Sequence, residues 1–235
     1  MNILTRNIPN AITCLNILSG SLAIIFAFRG DSPQPGGLAG WQWCAIFIGI
    51  AAVADFLDGF AARLLHAYSS LGKELDSLCD LVSFGVAPAM MLFTMTPMTH
   101  GLEWMRWAAL LIPIAGALRL ARFNIDTRQA TSFIGLPIPA NAIFWIGYTA
   151  LMAGGTGFLS GPVVYIAVIL LESWLMLSPL RLFSLKFKTY GLRANWPRYL
   201  LIAVAAVSVF CMGVGGLMWL IIFYLLLSSL CKGME

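Results

Sequence analysis

The chain has 235 residues, 60% of them hydrophobic and only 10% charged, with a formal net charge of +4 and a mean hydropathy of +0.87. That balance excludes a soluble globular domain and points to a chain dissolved in lipid, with no nucleic-acid partner expected. Its apolar runs, such as AIFIGIAAVA and WLIIFYLLL, do not alternate with polar residues, so they predict membrane helices and not a β-barrel.

The first ten residues, MNILTRNIPN, carry Ile3, Leu4 and Ile8 among polar positions and predict a short interfacial helix ended before Pro9. A first span follows over residues 11–28. Arg6 and the SGSLA sequence imitate a secretion signal, but Asn10 and Asn16 lie in or beside the apolar region, so the segment is expected to stay as a membrane span. Pro, Gly and charge delimit further spans at 41–65, 75–97, 104–123, 138–154 and 161–179. The final apolar stretch is too long for one span, and Gly213, Gly215 and Gly216 mark a turn within it, predicting a hairpin of spans 198–212 and 215–231. The expected fold class is all-α: a polytopic membrane helical bundle of about eight transmembrane helices, forming a single domain without internal repeats.

With the N-terminus in the cytoplasm, twelve of the fourteen Lys and Arg residues fall on the cytoplasmic side, Arg29 and Arg106 being the exceptions. That asymmetry predicts a multi-pass protein of the cytoplasmic (inner) membrane. The stretch RLFSLKFKTYGLRANWPR, 181–198, interleaves basic and aromatic residues, as either a positive-inside loop with its aromatic belt or a lipid-head site. Five cysteines without CxxC spacing read as buried thiols, with no disulfide framework and no zinc site.

Between the second and third spans stands DFLDGFAARLLHAYSSLGKELDSLCD, residues 55–80. Asp55 and Asp58 close the second span; Asp76 and Asp80 open the third. Spacings of three and four set each pair on one helix face, and the short connection makes the two helices antiparallel neighbours, so both acidic faces converge at the cytoplasmic side of the membrane. Four such carboxylates need a counter-charge. Arg63 and Lys73 could supply it as an ion-pair network, the aspartates could line a cation pathway, or a divalent ion could be bound; hard oxygen ligands select Mg, Mn or Ca. The small residues Gly59, Ala62 and Gly72 on or beside the acidic faces favour a site that admits a substrate.

Asp55, Asp58, Gly59, Ala62, Arg63, Gly72, Asp76 and Asp80 fit the pattern D-x2-D-G-x2-A-R-x8-G-x3-D-x3-D, and in this the chain resembles the CDP-alcohol phosphatidyltransferases. IPNAITCLNILSG, LVSFGVAPA, RLARFN and FIGLPIPANA are similar to blocks of that family's bacterial, integral-membrane, phosphatidylserine-forming branch, so the resemblance runs from about residue 8 to residue 142. It implies transfer of a phosphatidyl group from CDP-diacylglycerol to the hydroxyl of L-serine, with release of CMP. It also implies a divalent cation, Mg or Mn and possibly Ca, and a homodimer. By the same resemblance Asp55, Asp58 and Asp76 are metal ligands, and Asp80 is both a ligand and the general base, or else only completes the metal shell. Gly59, Ala62 and Gly72 make room for the cytidine, while Arg63 or Lys73 meets the phosphates.

Asn10, Thr13 and Asn16, three apart on one face of the first span's start, either cap and pack the helix or touch the nucleotide; the resemblance implies nucleotide contact for Asn10 and Thr13 and leaves Asn16 open. Arg119 and Arg122, three apart on one face, are candidates for the serine carboxylate or the lipid phosphate, assisted by Asn124, or are ordinary positive-inside anchors. Glu172, within the sixth span, calls for a partner such as an arginine of the fourth. His66 reads as a surface residue. Rival readings are a phosphorylated acceptor, glycerol phosphate or inositol phosphate, and, in a different class, a divalent-cation transporter, which would spread its acids over more helices and both leaflets.

Overall fold

A computed structural model describes residues 3–97, 100–125, 133–183 and 191–231. Arg128, Lys186, Lys188 and Lys232 of the charge asymmetry, and residues 184–190 of the basic and aromatic stretch, lie outside the described residues, as do the side chains of Arg6 and Arg193. Nearly all regular structure is helical. Four helices of 21–26 residues are long and apolar enough to cross a membrane singly: Asn7–Ala27, Gly40–Leu64, Ser70–Met95 and Glu103–Ile125. Ile138–Ala153 and Pro162–Leu177 are shorter apolar helices, and Asn195–Leu230 is a fifth long apolar stretch. The chain is a polytopic helical membrane protein.

Contacts divide it into two compact units, Met1–Leu120 and Ala121–Glu235. In the first, α1 (Ile3–Ala27) packs along α2 (Gly40–Leu64), with Phe26 stacked on Trp43 and Phe47 at centroid distances of 5.7 and 5.4 Å. The interfacial helix expected to stop before Pro9 is corrected: α1 runs continuously through Pro9. Proline removes one backbone donor from a helix, but its fixed φ is itself helical, and flanking turns hold the rest. The third span begins earlier than predicted. Ser69 caps α3 (Ser70–Asp80) by accepting from the Gly72 amide at 2.9 Å, a helix-start device six residues upstream of the predicted start at residue 75.

α3 does not pass directly into α4 (Ala87–Met95). Residues Leu81–Val86 form a π-helical turn in which the Ala87 amide reaches back to the Val82 carbonyl. Pro88 accounts for the widening, since its ring cannot donate and crowds the carbonyl four residues earlier, at Phe84. A 3-10 segment (Glu103–Leu110) leads into α5 (Leu111–Ile125), within which the unit boundary falls.

In the second unit, α6 (Ile138–Ala153) carries the fully buried Trp145 and Tyr148 and packs on α9 (Gly216–Leu230). Strands β1 (Phe133–Ile134) and β2 (Arg181–Leu182) form a two-residue antiparallel ladder beside the C-terminal end of α7 (Pro162–Leu177). α8 (Leu192–Met212) ends at Gly213, whose φ of +58° an L side chain rarely adopts, and Gly216 then lies directly against the Ser208 carbonyl. The 36-residue apolar stretch is therefore the expected hairpin. All five cysteines are free, but Cys14 and Cys211 are exposed, which corrects the reading of all five as buried; an apolar run in lipid has an outward face as well as an inward one.

Candidate active site

The acidic motif takes its geometry from the α2–α3 hairpin. α2 ends at Leu64, the chain turns through His66 at φ +50°, and Ser69 restarts the helix. Along α3, Gly72, Asp76 and Asp80 recur every four residues and lie on one face, while Leu71 and Leu78 are exposed on the other. Oxygens of Asp55, Asp76 and Asp80 all lie within 4.8 Å of one another. Asp76 Oδ1 is buried and has no hydrogen-bond partner among the described residues. Three converging carboxylates with an orphaned oxygen fit a hard divalent cation, whose charge and empty coordination positions satisfy both deficits.

Asp58 stands apart from this triad. Its Oδ2 accepts the Thr13 hydroxyl at 2.6 Å, and the same hydroxyl is 3.0 Å from the Pro9 carbonyl. Asp58 instead lines an open cavity of about 200 Å³, walled by α1, α2, α3 and the connection between them. Asn10, Thr13, Gly59, Ala62, Gly72, Lys73 and Asp76 share that wall. Asp76 thus belongs both to the triad and to the cavity. The capped N-terminus of α3 opens on the same space, a favourable setting for a phosphate.

Other expected residues lie elsewhere. Arg63 is exposed and outside the cavity lining. Arg119 is 7% exposed and within electrostatic range of Asp80. Arg122 is exposed and donates to the Leu177 carbonyl at 3.3 Å, and Asn124 is half-buried. Glu172 is 2% exposed, and its Oε2 has no hydrogen-bond partner among the described residues. His66 is exposed, as expected.

Sequence reasoning missed four lining residues, Pro9, Ala67, Tyr68 and Ser69. The signal available for Ser69 was its place as a capping residue three before Gly72; nothing in the local sequence marks Ala67 or Tyr68. It also left open Asn16, whose Nδ2 donates to Asp80 Oδ1 at 3.2 Å.

Two expected results follow from this geometry. A Cβ at Gly59 would meet nothing within 4 Å, so the side chain of Gly59→Leu starts into open space and is expected to extend into the cavity that Gly59 lines. Thermal unfolding should be unchanged or raised, while KM for the cytidine substrate that the sequence resemblance implies rises roughly tenfold or more; an unchanged KM would remove Gly59 from the expected binding wall. Ser69→Ala removes the α3 cap and should cost about 1 kcal/mol of stability, read as a lower unfolding temperature.

The family model described as CDP-alcohol phosphatidyltransferase matches residues 6–177. Curated relatives are similar over much of the chain. A protein of Mycobacterium leprae (strain TN) named CDP-diacylglycerol--serine O-phosphatidyltransferase is 34% identical over 232 residues, 95% of this chain and 72% of the relative. A protein of the same name from Helicobacter pylori (strain ATCC 700392 / 26695) is 35% identical over 189 residues, 79% of this chain and 75% of the relative. Another from Mycobacterium bovis (strain ATCC BAA-935 / AF2122/97) is 38% identical over 159 residues; the match covers 64% of this chain and about half, 52%, of that relative.

Proposed function

The chain belongs to the CDP-alcohol phosphatidyltransferase family, and from that premise we propose that it transfers the phosphatidyl group of CDP-diacylglycerol to the hydroxyl of L-serine, releasing CMP. One observation carries the reading to the residues: the Asp55, Asp76 and Asp80 triad adjoins, through Asp76, a cavity walled by small side chains. The names of the relatives support serine as the acceptor.

In this reading the cytidine and ribose lie against Gly59, Ala62 and Gly72, with Asn10 and Thr13 as polar contacts and Lys73 beside the pyrophosphate. Arg63 meets the phosphates from the exposed end of α2. Asp55, Asp76 and Asp80 would hold a divalent cation, Mg or Mn, with Asp58 as the fourth carboxylate of the acidic wall. When bound, the cation neutralises phosphate charge and stabilises the charge that develops on the departing CMP. Asp80 takes the proton of the serine hydroxyl. The serine oxygen then forms a bond to the phosphorus that bears diacylglycerol, and the bond from that phosphorus to the CMP oxygen breaks with its electron pair. Arg119, with Arg122 and Asn124, is assigned to the serine carboxylate or the lipid phosphate.

The active site and N-terminus are assigned to the cytoplasmic side of the inner membrane, on the asymmetry of Lys and Arg. A homodimer is part of the proposal. The test is an acceptor profile: protein purified in detergent, given CDP-diacylglycerol and Mn, should release CMP with L-serine. Release with glycerol 3-phosphate or inositol phosphate but not with serine overturns the assignment of the acceptor. Ion flux in proteoliposomes without any CMP release overturns the enzyme reading.

A further inference from the structure

Asn16 is 0% exposed in the middle of α1. Its Nδ2 donates to Asp80 Oδ1, while its Oδ1 is buried without a hydrogen-bond partner among the described residues. Leaving one end of a buried amide unsatisfied is costly, and turning the amide over would set oxygen against carboxylate. The arrangement is therefore determined by Asp80 and not by the convenience of Asn16.

Two contacts hold Asn16 at this height. Ser83 Oγ donates to the Asn16 carbonyl at 3.1 Å. Gly20, one turn further along α1, lies so close to Ser83 that no side chain fits between them. Ser83 sits in the π turn that begins immediately after Asp80. The same turn that widens the helix thus presses Ser83 onto α1 and ties the backbone of Asn16 to the segment that carries Asp80. π turns of this kind are frequent beside functional residues.

We infer that Asn16 is a positioning residue for Asp80: its donated hydrogen bond fixes the rotation of the carboxylate about its Cβ–Cγ bond, so that the other oxygen keeps one direction towards the acceptor. This rests on the proposed phosphatidyl transfer with Asp80 as base. Thr13 on Asp58 is the parallel contact one turn earlier on α1, so this helix supplies one fixed donor to each acidic helix.

The test uses Asn16→Leu, close in size and without a donor, in the full detergent-purified chain. With CDP-diacylglycerol, L-serine and Mn, kcat is expected to fall roughly 10- to 100-fold, as for a small misplacement of a reacting group. KM for CDP-diacylglycerol should stay within about twofold of the parent, a split that loss of folding would not produce, while the half-saturating Mn concentration rises because Asp80 is also one of the proposed cation ligands. A kcat at saturating Mn within about threefold of the parent, or a loss confined to KM, overturns the inference. Should Asn16→Leu fail to fold, Ser83→Ala, which removes only the hydroxyl that ties the Asn16 carbonyl, is expected to lower kcat about threefold with KM for CDP-diacylglycerol unchanged. An unchanged kcat in that variant overturns it equally. Absence of CMP release by the parent with serine would instead overturn the proposed function.

Discussion

Asp80→Asn is expected to lower kcat by roughly 10² to 10⁴-fold, the range over which a positioned general base acts. CMP binding should survive, because the cavity lining contains Asp58 and Asp76 but not Asp80. The substitution preserves shape, so Asn16 remains packed and α3 remains capped by Ser69. What is lost is the oxygen that accepts a proton, in a group only 8% exposed that bulk water does not readily replace. Single-turnover CMP release and CMP binding by equilibrium dialysis, measured on the same preparation, separate the two effects. Near-parental turnover would take the base assignment away from Asp80. Turnover and CMP binding lost together would make Asp80 a structural residue of the cavity.

The acidic motif was legible because its spacings are those of a helix. Three and four residues between aspartates, with a short break in the middle, describe two antiparallel faces whatever the remaining packing does. The final hairpin was legible for a similar local reason: Gly213 and Gly216 interrupt an apolar stretch too long for one span. The division of labour among the four aspartates was not. Asp58 is drawn to Thr13, 45 positions away in sequence, and Asp80 to Asn16, 64 away, and no local spacing encodes either pairing. The π turn was only half legible. Pro88 announces a disturbance in the helix, but that the disturbance seats Ser83 on α1 depends on Gly20, which local reading places simply within the first span. The cavity wall was read from its glycines and alanine, whereas Ala67 and Tyr68 join it because the α2–α3 connection lines the same space.

Removing divalent metal should abolish CMP release, and Mn or Mg should restore it, with Asp76 as the residue through which both effects are read. At separations up to 4.8 Å, each pair of ionised carboxylates in the triad repels by about 3 kcal/mol or more at an effective dielectric near 20. A bound cation would convert that repulsion into attraction and would offer a partner to Asp76 Oδ1, which is buried without one among the described residues. Binding must therefore appear as stability, without reference to turnover. At a Mn concentration 100 times its Kd, the gain is about 2.7 kcal/mol, a rise of several degrees in Tm for a chain of this size. Asp76→Asn should lose most of that Mn-induced rise and reduce CMP release by about 100-fold or more, while the apoprotein is as stable as the parent or more so, since one of the repelling charges has gone. An Asp76→Asn protein that keeps the full Mn shift would place the ion elsewhere. A parent with no Mn shift, but with turnover in the presence of chelator, would leave the triad without a metal and return the aspartates to the rival reading of an ion-pair network.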